Sequence, residues 1–130
     1  MSFLINELLT RNPQKTSDVA LRVFLNIMEK WKVPIKEQIK LLGQTSEFLL
    51  KQKEQGAVMI LPNDSLLRIS YILGIYKALG TLFPDKKLAH EWITKKNLVF
   101  EGKSALDFIV IDSSNRLPQV RGYLDGQVAS

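Results

Sequence analysis

Between Pro62 and Pro84 lies a run whose apolar residues fall on nearly every side of a helix. Leu66, Ile69, Leu73 and Tyr76 form one stripe, and Leu67, Ile72, Ile75, Leu79 and Leu82 cover much of the rest. A helix apolar on most sides must be enclosed, so the chain has to supply neighbours for it. Arg68, Lys77, Ser70 and Thr81 make the run too polar to span a bilayer. Gly74 and Gly80 each lower helix propensity by about 1 kcal/mol relative to Ala, which implies close approach by another helix. Leu61-Pro62-Asn63-Asp64 is a start signal for this helix, and Phe83-Pro84-Asp85 ends it.

The neighbours read as helices too. Leu4, Leu8 and Leu9 share a face in a short segment, Phe3 to Thr10, which Asn12-Pro13 stops. Ser17 or Asp18 is placed to cap a helix whose stripe is Ala20, Phe24, Ile27 and Trp31, ending at Val33-Pro34. Ile35 to Leu42 forms a short helix with Ile35, Ile39 and Leu42 inward, and Gly43 supplies a left-handed turn. Thr45 or Ser46 caps a third helix reaching about Glu54, anchored by Phe48 and Leu49. Ala57 to Leu61 is a short apolar run with extended character. Beyond the central helix, Asp85 caps a helix carrying Leu88, Ala89, Trp92 and Ile93. Asn97 to Gly102 is a loop, and Ser104 with Asp107 opens a helix to about Ile111. Ser113-Ser114-Asn115 is a turn. A last helix, about Leu117 to Gln127, has Leu117, Val120 and Leu124 on one side and Pro118 near its first position. The expected fold class is all-α. Residues 1–17 make an N-terminal short helix and linker, 18–60 a helix-turn-helix unit and 61–130 a compact helical domain.

Composition narrows the chemistry. With no cysteine and a single histidine, His90, thiolate metal sites, disulfides and His-based triads have almost no ligands to draw on. No metal site, cofactor or catalytic residue is expected, and the chain is read as a binding protein rather than an enzyme. His90 has no obvious partner and is assigned a surface or semi-buried structural role. Asp107, Asp112 and Glu101 offer carboxylates, but Asp107 is better explained by the helix dipole. The aromatics Tyr71, Tyr76, Phe83, Trp92, Phe100 and Phe108 are read as core. The first ten residues lack a basic n-region and include Glu7, so no signal peptide is expected and the location is read as cytoplasmic. The net charge of +5 divides as +3 over residues 1–61 and +2 over 62–130, so neither half is a basic arm.

Two surfaces stand out. The helix, Gly43 turn and following helix have the layout of a DNA-binding unit. Gln44, Thr45 and Ser46 would face base edges or phosphates, with Lys36, Lys40 and Lys51 on the backbone. Glu47 on the reading helix, and the lack of arginine there, oppose phosphate approach. An ordinary helical corner accounts for the same spacing. The second surface is Val120-Arg121-Gly122-Tyr123-Leu124-Asp125, where Arg and Tyr are residue types favoured at interface hot spots.

Several pieces in order resemble one family. They are Trp31, Glu37 and Leu41-Leu42-Gly43; Asp64 with Leu67-Arg68-Ile69-Ser70; Ile72 to Leu79; Leu82-Phe83; Ala89 and Trp92; Asn97 to Leu106; and Val120 to Asp125. Together they are similar to the Xre/MbcA/ParS antitoxins, partners of RES-domain toxins, over about Val19 to Asp125. The resemblance implies an Xre-like helix-turn-helix unit followed by a toxin-binding domain. It further implies a homodimer that blocks the active-site cleft of a NAD-consuming toxin and whose complex can bind operator DNA. On this resemblance the toxin-binding residues would be Arg121, Tyr123, Leu124, Asp125, Asn97 and Arg68. Where that family has a Trp late in the reading helix, this chain has Gln52. A helix-turn-helix regulator with no toxin partner remains the alternative.

Overall fold

In a computed structural model, described here for residues 12–48, 51 and 60–130, the chain is all-α. The N-terminal segment Phe3 to Thr10, most of the stretch from Leu49 to Met59, and Gln52 lie outside the described residues. The helices are α1 (Pro13–Trp31), α2 (Ile35–Leu42), α3 (Asn63–Leu82), α4 (Lys86–Glu91), α5 (Ala105–Ile111) and α6 (Ser113–Ala129). Trp92–Thr94 and Leu98–Phe100 are single 3-10 turns. The described residues contain no strand; an isolated antiparallel bridge joins Lys96 to Ser104.

Local chemistry sets most of the ends. Asp85 accepts from the Lys87 N–H and Ser104 from the Asp107 N–H, so both act as the expected caps. Thr45 Oγ1 accepts from the Phe48 N–H at 3.2 Å, and residues 46–48 and 51 are helical. Gly43 takes φ 70° and closes α2. Three ends differ from expectation. Asn12 rather than Ser17 or Asp18 caps α1, accepting from the Lys15 N–H, and Pro13 becomes its first residue. The Asn-Pro pair that stops one helix is equally a start for the next, because the first turn has no use for the proline's missing N–H. Ser113 to Asn115 form the first turn of α6, not a separate turn, and this leaves Pro118 inside the helix. Ser114 is exposed, so water can reach the carbonyl that Pro118 leaves without a donor.

One core runs through both expected units. It includes Phe24, Ile27 and Trp31 of α1, Leu41 and Leu42 of α2, Ile69, Ile72 and Ile75 of α3, Phe108 and Ile109 of α5, and Leu117 and Val120 of α6. α3 packs on α1, α2, α4 and α6. Its Leu67 stays exposed, where the stripe count had placed it inward. Ile35 is also exposed, because α2 turns Leu41 and Leu42 onto the core instead. Pairings fix the directions. Ser17 meets Leu61 and Lys30 meets Tyr76, so α1 and α3 run parallel. Arg68 meets Ser113 and Arg121 meets Ser70, so α3 and α6 run parallel as well. Parallel neighbours need long crossings, and α2 with its turn makes one while α4 to α5 make the other.

The first crossing is held to α3 by buried polar contacts. Ser65 Oγ donates to the Leu42 carbonyl at 2.8 Å and accepts from Gln44 Nε2 at 2.9 Å. Ser17 Oγ accepts from the Leu61 N–H at 2.8 Å. Ser65→Ala should destabilise the protein by about 1–3 kcal/mol in urea unfolding, because it strips a fully buried helix-end carbonyl of its partner. Gln44→Ala should cost less, about 1 kcal/mol or below, since Ser65 keeps its bond to Leu42.

Candidate functional site

The residues singled out in the C-terminal half divide into two places. Arg121 lies across α3. Its NH1 donates to the Ser70 carbonyl at 3.4 Å, its Nε stands 3.6 Å from the Asp125 carboxylate, and its guanidinium carbon is 5.9 Å from the Tyr71 ring centroid. Gly74 makes room for it. A Cβ there would stand 2.5 Å from Arg121 Nε. The expected close approach at Gly74 is therefore made by a side chain rather than by a helix backbone. At Gly80 nothing lies within 4 Å, so close packing does not explain that glycine. The Arg121 side chain is 30% exposed. A guanidinium has five N–H donors, and these contacts leave an edge of it at the surface.

Tyr123, two residues before Asp125 on α6, packs edge-on against Phe100, with ring centroids 5.9 Å apart. Phe100 in turn contacts Trp92 and Phe108 at 5.8 and 5.1 Å. This aromatic set ties α6 to the loop that Asn97 begins. Asn97 accepts from the Val99 N–H through its side chain, and its backbone exchanges bonds with Lys103 and Gly102. Glu101 and Gly102 both take positive φ, at 60° and 81°. The loop is thereby closed on itself, and it carries Leu98 at its outer edge, 92% exposed. Val99 beside it is also exposed. Leu98 was not singled out by sequence, since apolar character alone does not say which side of a loop a residue takes.

Two of the six expected contacts are engaged elsewhere. Leu124 is 1% exposed and belongs to the core with Leu117 and Val120, so it supports α6 and offers no contact surface. Arg68 is 13% exposed and serves as a clasp. It bonds Asp64 at 2.8 Å, the Lys40 carbonyl at 3.3 Å and Ser113 Oγ, while Ser113 Oγ donates to the same carbonyl at 2.9 Å. The cation thus sits at the carbonyl end of α2, where the helix dipole favours it.

On the helix-turn-helix side, Gln44 Nε2 donates to Ser65 Oγ, while Thr45 Oγ1 accepts from the Phe48 N–H and the residue stays exposed. Lys51 stands 3.5 Å from Glu47. Lys36, Lys40 and Ser46 remain exposed. His90 is half-buried and stacked on Tyr76 at 5.9 Å. No helix among the described residues is long and apolar enough to cross a membrane, and none of their acidic or histidine side chains gather in threes that could hold a metal ion.

No known family profile matches the chain, and no solved structure matches it. A curated relative does: the uncharacterized protein y4oB of Sinorhizobium fredii (strain NBRC 101917 / NGR234) is 39% identical over 108 residues. That alignment spans 82% of this chain and 82% of the relative. It is long enough to take in α3 together with elements on both sides of it. The chain belongs to the same family as y4oB.

Proposed function

We propose that this protein is an antitoxin that neutralises a RES-type, NAD-consuming protein toxin by seating the C-terminal half of α6 in the toxin's cleft. The observation that carries the reading is the outer side of α6. Gly122 and Gly126 lie four residues apart, both exposed, and nothing lies within 4 Å of where their side chains would be. Each costs about 1 kcal/mol of helix propensity against Ala, and the chain's own packing gives no return for it. Bare backbone flanked by Arg121, Tyr123 and Asp125 suits close approach by another protein. Arg121 is already held on α3 and Tyr123 on Phe100, so little side-chain freedom is lost on docking. Leu98, on a loop closed by its own hydrogen bonds, adds apolar area on the same aromatic support.

Operator binding is the weaker companion of this reading. With Gln44 turned onto Ser65, the exposed Thr45 and Ser46 are the turn residues left for base edges, and the exposed Lys36 and Lys40 would touch phosphates. DNA association carried mainly by the lysines is salt-sensitive.

Co-expression with a RES-type toxin tests the proposal: the chain should restore growth, and persistent toxicity would overturn it. Arg121→Ala should weaken toxin binding by about 2 kcal/mol, roughly thirtyfold in Kd by calorimetry. Gly74→Ala separates position from fold. Its methyl displaces the Arg121 guanidinium while raising helix propensity by about 1 kcal/mol, so thermal stability should hold or rise while toxin affinity falls at least about fivefold.

A further inference from the structure

Away from α6, two adjoining clefts open where the ends of α1 and α3 meet α4. One, of about 310 Å³, has an apolar floor of Leu79, Phe83, Pro84 and Ala89. The other, of about 480 Å³, is lined by Trp31 and Thr94 together with charged side chains and their apolar stems. Lys30 and His90 belong to both and form the divide between them. Tyr76 and His90 are stacked there with their planes 19° apart, and Lys30 Nζ donates to the Tyr76 hydroxyl at 3.2 Å.

Four lysines surround this divide. Lys86 lines the first cleft and Lys32 and Lys87 the second, with Lys30 common to both. Glu91 is the acid that lines the second cleft. The nearby Asp85 carboxylate caps α4 and places a negative charge beside Lys86 and Lys87. Among the described residues none of the four lysines is in an ion pair. Lys30 and Lys32 stand at the carbonyl end of α1, where a cation is stabilised by the helix. Lys86 and Lys87 are the first two residues of α4, the end that repels cations, with the capping Asp85 as the acid there. A further group lacks a partner: the Trp31 indole N–H is buried and makes no hydrogen bond, and Trp31 lines the second cleft.

We infer that these joined clefts bind a small aromatic anion, with its ring on the apolar floor beside Tyr76 and His90 and its charged group among the lysines. The first cleft's volume lies at the lower end of the range for small-molecule sites, which fits one ring rather than several. Four lysines against Glu91 and the capping Asp85 leave an excess of positive charge for the anionic group. An aryl phosphate and an aryl carboxylate share the required chemistry.

Titration of the full chain with phenyl phosphate, followed by proton–nitrogen NMR, tests the site. The chain has two tryptophans, so the Trp31 indole N–H is resolved from that of Trp92 by comparison with Trp92→Phe. Saturable shifts of the Trp31 indole and of the His90 ring are expected, with phenol and inorganic phosphate each binding at least about tenfold more weakly. Benzoate in a parallel titration separates carboxylate from phosphate preference, and tight binding by either supports the site. Lys86→Ala with Lys87→Ala should weaken binding about fivefold or more without lowering the thermal midpoint. Absence of saturable shifts with both aryl anions up to about 10 mM would overturn the inference. So would phosphate binding as tightly as phenyl phosphate, or an unchanged affinity in the double variant.

Discussion

A helix apolar on most of its circumference is stable only when it is surrounded, and the burial of α3 organises everything else in this molecule. Ile69, Ile72, Ile75 and Leu79 are each essentially inaccessible. Full burial of such a side chain is worth about 1.5–3 kcal/mol relative to exposure, so no arrangement that leaves α3 uncovered competes. The chain covers it with two parallel helices, α1 and α6, and closes the ends with α2 and α4. Parallel neighbours cannot be joined by tight turns. The crossings must therefore be long, and they must be attached at intervals. Buried serines do this. Ser65 and Ser17 direct hydrogen bonds onto helix-end or loop backbone that would otherwise be buried without a partner.

Two arginines attach α6 to α3, and their differences separate scaffold from surface. Arg68 and Arg121 each lie against a glycine, Gly43 and Gly74, at which a Cβ would collide with the guanidinium. Arg68 spends its donors on a carboxylate, a carbonyl and a hydroxyl at the closed end of the α3–α6 pair. Arg121 makes longer contacts and keeps part of its surface open. The same residue type therefore locks one end of the helix pair and leaves a partly oriented cation at the other. Charge alone would not distinguish them; the distances and the exposure do.

What was legible in the sequence was local. The Ala20-Phe24-Ile27-Trp31 stripe, the Gly43 turn and the Asp85 and Ser104 caps depend on residues within four of one another, and all are present as expected. Asn12-Pro13 was ambiguous because the pair both ends and begins helices. Ile35 and Leu67 are exposed because a stripe gives the phase of a helix but not the width of the face its neighbours cover. Of the candidate contacts, Leu124 was already part of the Leu117-Val120-Leu124 stripe, and that periodicity outranked its place in a surface motif. Gln44 and Arg68 could not be sorted by spacing. Their partners Ser65 and Ser113 lie far along the chain, and only the fold brings those together with them.

The outer face of α6 follows from the same division of labour. The inner stripe, Leu117, Val120 and Leu124, supplies the packing that fixes this helix to α3, so the outer positions are released from any duty to the core. Ordinary surface helices fill such positions with strong helix formers. Here two of them are glycine, at a helix that already tolerates an internal proline. The sum is a helix less stable in isolation than its length suggests, kept in shape by its inner face and by Arg121 and Tyr123 at its sides. On the proposed reading a second protein closes over this bare backbone, and the ordering cost has then been met in folding and not at the moment of binding.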